Sequence, residues 1–254
     1  MDYTDRFYRQ DHRQVDLVHF QLTVAETDLD IGVRKERFST QLVEWVEETI
    51  RACRRPLEDY IQRDPGFVKA LMPYTVLPNA PLIVQTMAEA GRLAGVGPMA
   101  AVAGAVSELV GKSIAKRSRD VIVENGGDIF IRTSRIRRVG IFAGDSPLSN
   151  RVAIEIRPDE TPLGICTSSG KVGHSLSFGK ADAVVVLSPS VALADAVATA
   201  CGNLVQSTDD LERALEFASE ILGVKGVLVI KDDRLAVWGS VKLLPMNTKG
   251  RGNS

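Results

Sequence analysis

Short apolar runs of strand length fill the middle of this chain, and they constrain its fold more than any other sequence feature. They are rich in Val and Ile, which is typical of β-strands, and tight links join most of them. We therefore expect a meandering, mainly antiparallel sheet. The runs cover residues 121–123, 129–131, 139–142, 152–156 and 183–187.

Helical patterns flank this sheet region on both sides. Helices grouped before and after an antiparallel sheet predict an α+β class rather than a wound parallel sheet. Caps and apolar spacing locate the elements. They are a β-hairpin over residues 15–33 with a polar turn at 26–28, helices beginning at Ser39, at Asn79–Pro81 and at Met99, helices over 190–201 and 209–222, and a strand pair turning at 232–233.

Composition limits the classes of partner. The chain has 254 residues, 44% of them hydrophobic, which is enough to bury a substantial core. A formal net charge of -1 gives no basic excess for binding nucleic acid, so we expect no such partner. The three cysteines lack metal-site spacing and are expected to be reduced thiols. We expect one domain over residues 1–246, either compact or as two lobes sharing a core, and a disordered polar tail at 247–254.

The sequence also predicts where the protein resides. Its first residues are charged and aromatic, without the apolar stretch of a secretory signal. The most apolar region, residues 81–114, is interrupted by Gly, Pro and charged residues and falls short of a membrane span. We therefore expect a cytoplasmic protein without a membrane partner. Small-residue helices and sheet edges would also allow a homo-oligomer.

A glycine pair separates two of the strand runs, in the segment 124–128. An Asn-Gly pair there suits an ordinary hairpin turn, which is one interpretation. The other is that Gly126 and Gly127 present backbone N–H groups to a phosphate or a ring edge, while Asn125 and Asp128 supply polar contacts. Both interpretations stay open, and residues 125–128 are candidate cofactor-binding residues.

Residues 166–174 combine three hydroxyls, a lysine, two glycines and His174. Such a loop can bind phosphate, and His174 could act as an acid or base near neutral pH. A solvated Ser/Gly loop with a surface His is the alternative. Cys166 is a conceivable nucleophile or sulfur carrier, although a small buried hydrophobe is its simpler role. The candidate ligand-binding residues are Thr167, Ser168, Ser169 and Gly170.

Asp195 and Thr199 stand at i and i+4 in a predicted helix and so share one face. Their neighbours are small and apolar, so the helix is expected to be buried. A buried carboxylate is costly, and a hard cation completed by a hydroxyl, carbonyls and waters is one way to offset that cost. The alternative is that Asp195 pairs with a backbone amide or an Arg, while Thr199 bonds to the carbonyl four residues earlier.

The helix predicted over residues 99–112 is dominated by Ala, Gly and Ser. Such residues let another backbone, or a ligand, come close.

Taken in order, these motifs resemble the ApbE-like superfamily, which includes FAD-dependent protein flavinyltransferases. The similarity spans roughly residues 98–202. The resemblance to one cytosolic branch of this superfamily, which is related to the FAD:protein FMN transferases, extends over nearly the whole chain. The residues that carry the resemblance are Gly104-Ala105, Gly126-Gly127-Asp128, Thr167-Ser168-Ser169-Gly170, His174, and Asp195 with Thr199 in Ala-Asp-Ala-Val-Ala-Thr.

The resemblance implies a two-lobed, ApbE-like or T-fold-like scaffold with packed helices. It implies that Asp195 and Thr199 coordinate Mg²⁺ together with a backbone carbonyl near Ala105. In the transferases the metal lies against the FAD pyrophosphate while a threonine of an acceptor protein attacks. His174 would be the acid or base.

Three functions remain open at this point. The first is a Mg²⁺-dependent enzyme that acts on FAD or another pyrophosphate-bearing nucleotide, by flavinyl transfer or pyrophosphate cleavage. The second is a non-catalytic binder of flavin or nucleotide. The third is a metabolic protein with a different small substrate, handling sulfur through Cys166.

Overall fold

Eleven strands form two antiparallel sheets in the computed structural model, which describes residues 16–169 and 179–246. The strands are β1 (Leu17–Val24), β2 (Thr27–Arg34), β3 (Val121–Asn125), β4 (Asp128–Arg132), β5 (Arg137–Gly140), β6 (Val152–Ile156), β7 (Leu163–Ser168), β8 (Ala183–Ser188), β9 (Gly226–Lys231), β10 (Arg234–Gly239) and β11 (Leu243–Pro245). The larger sheet has the order β1-β2-β3-β4-β7-β8-β9-β10, and the smaller one has the order β11-β6-β5.

Six α-helices in the described ranges accompany these sheets. Ser39 and Ser190 cap two of them, because each hydroxyl accepts a hydrogen bond from an amide three residues later. Gly95, with φ of +70°, ends a third in the left-handed conformation that favours glycine. The helices are α1 (Thr40–Arg63), α2 (Gly66–Lys69), α3 (Leu82–Ala94), α4 (Val102–Ala115), α5 (Val191–Leu204) and α6 (Leu211–Ser219).

Both faces of the larger sheet are covered. The helices pack on one face, where Val121 and Val123 join a core with side chains of α1, α3, α4 and α5. The smaller sheet covers part of the other face, where Ile131 and Ile165 pack with Ile154. Strands β8 and β9 are therefore buried along their whole length, which explains their continuous apolar sequence. The predicted α+β class with a mainly antiparallel sheet is confirmed.

Several element predictions are corrected in detail. The opening hairpin turns at Ala25 and Glu26 rather than at residues 26–28, because Val24 already pairs with Thr27. Helix α4 begins at Val102 rather than Met99, after a 3-10 turn at Pro98–Ala101. The last α-helix of the described residues is also shorter than the predicted 209–222, with α6 covering Leu211–Ser219 after a 3-10 turn.

Strand β7 is the largest correction. Residues 166–168 were expected to open a loop, whereas they pair with both β4 and β8 in the middle of the sheet. The polar pair Thr167-Ser168 concealed the strand, since hydroxyl and glycine residues are also typical of loops. The strand end therefore presents polar side chains beside the Gly-Gly turn.

No single helix in the described parts of the chain has both the length and the apolar composition of a membrane span. The pair Leu82–Ala94 and Pro98–Ala115 meets those criteria only when its two members are combined, and they are bent by 105°.

Close approach at glycines explains the small residues of α4, as predicted. A Cβ on Gly104 would lie 2.5 Å from the Val191 carbonyl oxygen of α5 and 2.8 Å from Asp195 Cβ. A Cβ on Gly111 would overlap ring atoms of Phe130 on β4. The backbone of α4 therefore lies directly against both the sheet and α5.

We expect Gly111→Ala to destabilise the protein by about 1–3 kcal/mol, because overpacking against the buried Phe130 ring exceeds the helix-propensity gain of about 1 kcal/mol. Urea unfolding followed by circular dichroism measures the change. Ser113→Ala on the same helix is the control, since it removes only a bond to the Leu109 carbonyl. A Gly111→Ala variant as stable as the parent would contradict this packing.

Candidate functional site

The predicted Gly-Gly hairpin turn joins β3 to β4. Asn125 pairs with Asp128, and Gly126 and Gly127 have φ of +66° and +104°, which residues with a side chain rarely adopt. The Gly127 amide donates to Glu124 Oε1 at 2.7 Å, and the Thr167 amide donates to the Gly127 carbonyl at 3.2 Å. These bonds fix the turn to the end of β7. The Gly127 amide therefore supports the turn itself in this structure.

Asn125 connects this turn to the helical layer. Its side-chain Nδ2 donates to the Ala103 carbonyl at 3.2 Å. Ala103 lies in the first turn of α4, so the hairpin and the N-terminus of that helix share one site. Two motifs that are distant in the sequence thus come together.

Asp195 of α5 lies against the same helix N-terminus. Its Oδ2 accepts a hydrogen bond from the Gly104 amide at 2.8 Å, and the Ala103 amide also bonds to this carboxylate. The N-cap residue of α4, Ala101, has no side-chain acceptor of its own. Asp195 therefore caps α4 from a neighbouring helix, in a position where the helix dipole favours a negative charge. This is the backbone-amide pairing that the sequence left open.

The other two predicted metal ligands are adjacent to this contact. Thr199 is buried one turn after Asp195 on α5, and Ala105 directly follows Gly104 on α4. Thr199 stands four residues after Asp195 and therefore shares its face of α5, whereas Ala105 follows the residue whose amide Asp195 accepts.

Two carboxyl groups of this site have raised pKa values. Burial raises the pKa of Asp128 well above its usual range, and the charge of Asp195 raises it further. Burial also raises the pKa of Asp195 to about 7, against the opposing effect of its two backbone amides. A bound cation would favour the ionised form of both groups.

The donor set fits Mg²⁺ rather than a soft metal. In the described part of the chain, no group of three or more His, Cys, Asp and Glu residues is arranged to hold a metal ion. A hard cation at Asp195 would therefore need oxygen donors of other kinds, such as the Thr199 hydroxyl and a backbone carbonyl. These ligands, completed by water, are what Mg²⁺ accepts.

Cys166 is buried beside Asp128 and the start of α5. It lies opposite Asp128 across β4 and β7, and its Sγ donates to the Val191 carbonyl at 3.4 Å. Burial raises the pKa of this thiol well above its usual range, and the charges of Asp128 and Asp195 add to that effect. The thiolate that a nucleophile or sulfur carrier requires is therefore disfavoured.

Sequence reasoning missed Glu108 on α4. Its Oε2 accepts hydrogen bonds from the Val191 amide at 2.7 Å and the Ala192 amide at 3.2 Å, at the start of α5. The only signal for it was an acidic residue within a run of small, apolar neighbours. Gly170 and His174 lie outside the described residues, whereas Ser169 directly follows β7.

Comparisons with known sequences give the family. A sequence model of the family described as AbpE bacteria matches residues 9–231. A UPF0280 protein from Methanosarcina acetivorans is 43% identical over 225 residues, which cover 88% of this chain and 86% of the relative. A UPF0280 protein from Methanocaldococcus jannaschii is 41% identical over 234 residues, which cover 90% and 93% respectively.

Solved structures share the fold at low sequence identity. The flavin transferase ApbE from Vibrio cholerae aligns with a TM-score of 0.59 and 15% identity, over 88% of this chain and 97% of that one. The flavinyl transferase ApbE from Pseudomonas stutzeri aligns with a TM-score of 0.58 and 15% identity, over 87% and 93%. The chain therefore belongs to the AbpE bacteria family, in a branch of the ApbE-like superfamily that it shares with archaeal UPF0280 proteins.

Proposed function

We propose that this protein binds FAD or a related pyrophosphate-bearing nucleotide with Mg²⁺ and cleaves the pyrophosphate, transferring the flavin phosphate to an acceptor protein or to water. The site is the junction of α4, α5 and the β3–β4 turn. The observation that carries the proposal is the pair of carboxyl groups formed by buried Asp128 and half-buried Asp195, which lie close enough for the charge of Asp195 to raise the pKa of Asp128. A bound cation would lower the raised pKa values of both groups. The fold shared with flavin transferases supports the proposal.

The metal ligands would come from both helices. Asp195 would supply a carboxylate oxygen, Thr199 its hydroxyl, and the segment at Ala105 a backbone carbonyl. When bound, Mg²⁺ would supply positive charge that a pyrophosphate needs in a site whose described side chains are mainly acidic or neutral.

The chain's own groups would bind and orient the nucleotide. The turn that contains Asn125, Gly126, Gly127 and Asp128 is rigid and tied to α4, so it can hold polar edges of a ligand in a fixed place. Thr167 and Ser168 at the end of β7, and Ser169 directly after it, would supply hydroxyls to the ligand. Gly170 is proposed as a further ligand-binding residue. His174 is proposed as the group that moves a proton to or from the reacting oxygen.

A flavin titration tests the proposal directly. Purified protein is titrated with FAD, with and without Mg²⁺, while flavin fluorescence and AMP release are followed. We expect Mg²⁺-dependent binding and AMP release in the parent. Asp195→Asn and Thr199→Val should each lower AMP release, on the order of 100-fold for the carboxylate and 10-fold or more for the hydroxyl, because each removes a proposed metal ligand.

Glu44→Gln is the charge-matched control, since Glu44 is an exposed residue of α1. It should retain parental binding and AMP release. Parental AMP release in both Asp195→Asn and Thr199→Val would rule out the proposed metal site. FAD binding without AMP release would instead favour a non-catalytic binder.

Metal binding should depend on pH through Asp195. Its pKa is raised to about 7 in the folded protein, so the metal-free fold favours the protonated form and loses stability as pH rises from about 4 towards 7. Protons and metal compete for this carboxyl. With Mn²⁺ as the probe ion in place of Mg²⁺, we expect the apparent affinity of the protein for the metal to rise about tenfold between pH 6 and pH 8.

The stabilisation of the protein by Mn²⁺ in thermal unfolding, compared at pH 6, 7 and 8, measures this dependence. Asp195→Asn should remove both the stabilisation and its pH dependence. An equal metal-induced shift at all three pH values in the parent would contradict the assignment.

The sulfur alternative makes a different prediction about Cys166. Burial raises the pKa of the Cys166 thiol. We therefore expect iodoacetamide at pH 8 to alkylate Cys166 at least about 100-fold more slowly in the native protein than in the urea-unfolded protein. Peptide mass spectrometry follows the labelling, with exposed free cysteine as the rate standard. Rapid labelling of Cys166 in the folded protein would restore the sulfur alternative.

A further inference from the structure

The two helices of the site cap each other. Asp195, from the second turn of α5, accepts the Gly104 amide at the N-terminus of α4. Glu108, from the second turn of α4, accepts the Val191 and Ala192 amides at the N-terminus of α5. Each helix thus lends a carboxylate to the orphan amides of the other.

The two caps act across a contact that tolerates little displacement. The Val191 carbonyl and Asp195 Cβ lie so close to Gly104 that a methyl group would not fit between the helices. Val191 is itself bound by Glu108, so one end of the contact is fixed by Glu108 and the other by Asp195. A shift of α5 along α4 would break both caps together.

Glu108 is held on its other side as well. Its second carboxylate oxygen, Oε1, pairs with the Lys112 ammonium one turn later on α4. The Glu108 side chain is 9% exposed, whereas Lys112 is 56% exposed. The ion pair is therefore at the surface, and the bonds to α5 are buried.

We propose that Glu108 is a positioning residue that fixes the carboxylate of Asp195 relative to the N-terminus of α4, and thereby sets the geometry of the metal site. The metal part of this inference rests on the proposed function, whereas the positioning part rests on the helix contact alone. Glu108 acts through α5 and does not itself touch the nucleotide in this scheme.

Two substitutions of Glu108 remove its cap on α5 completely or in part. Glu108→Met keeps the length of the side chain but removes both carboxylate oxygens. The buried Val191 and Ala192 amides then lose the oxygen that accepts their hydrogen bonds. Glu108→Gln keeps one acceptor oxygen without the charge. We expect the effects to follow the order Met, then Gln, then parent, so the conservative variant retains part of the function.

Two measurements well below the unfolding temperature separate positioning from general stability. Amide hydrogen exchange at Ala103 and Gly104, followed by NMR, reports whether Asp195 still caps α4. Mn²⁺ affinity reports the metal site. We expect Glu108→Met to speed exchange at both amides and to weaken Mn²⁺ binding by about tenfold, with Glu108→Gln in between.

One control variant tests the surface ion pair of Glu108, and a second tests a general loss of stability. Lys112→Met removes the surface ion pair and leaves the cap, so it should stay within about twofold of the parent in both measurements. Ser39→Ala removes the N-cap of α1, away from the contact of α4 with α5, and should lower stability without changing exchange at Gly104.

The outcomes distinguish this inference from the proposed function. Parental protection of Gly104 in Glu108→Met would overturn the positioning role, whatever happens to the metal. So would an equal loss of protection in Ser39→Ala. Lost protection with unchanged Mn²⁺ affinity, or with no Mn²⁺ binding in the parent, would support the positioning role and reject Asp195 as a metal ligand.

Discussion

The hydrogen bond from the Gly104 amide to Asp195 joins residues that are 91 positions apart, and the rest of the site depends on it. It holds the N-terminus of α4 against α5 at a distance that only glycine allows. The turn at Asn125 is then fixed by its bond to the carbonyl of Ala103. A helix end, a second helix and a hairpin turn meet at one point because each supplies the hydrogen-bonding partner that another lacks.

The sheet supplies the rigid support for this junction. Its central strands are covered by helices on one face and, in part, by the smaller sheet on the other. The β3–β4 turn and the C-terminal end of β7 lie side by side at the same end of the strands, where the Thr167 amide donates to the Gly127 carbonyl. Polar side chains at that end are positioned by ladders that continue into two apolar cores, which suits a ligand site that needs fixed geometry.

Most of the fold could be predicted from the sequence, because apolar periodicity and caps act locally. Ser39 and Gly95 marked helix ends through their own backbone bonds and conformation. Strand β7 was not predicted, because Thr167 and Ser168 are polar and hydroxyl residues are also typical of loops. A backbone amide was one of the partners that the sequence left open for Asp195. The amide of Gly104 could not be named in advance, since an amide on another helix leaves no signature in side-chain spacing.

The role of Glu108 could not be predicted for the same reason, because its partners lie on another helix. An acidic residue in a run of small residues is expected to be costly, and the sequence gives no hint that the compensation comes from the first turn of α5. Asp195 is compensated in the same way by α4, although burial still raises its pKa against the effect of the two α4 amides. Helix amides satisfy hydrogen bonds but carry only a fraction of a unit charge each. Asp195 therefore caps α4 with a carboxyl group whose ionised form is disfavoured by burial, and the proposed divalent cation would favour that form.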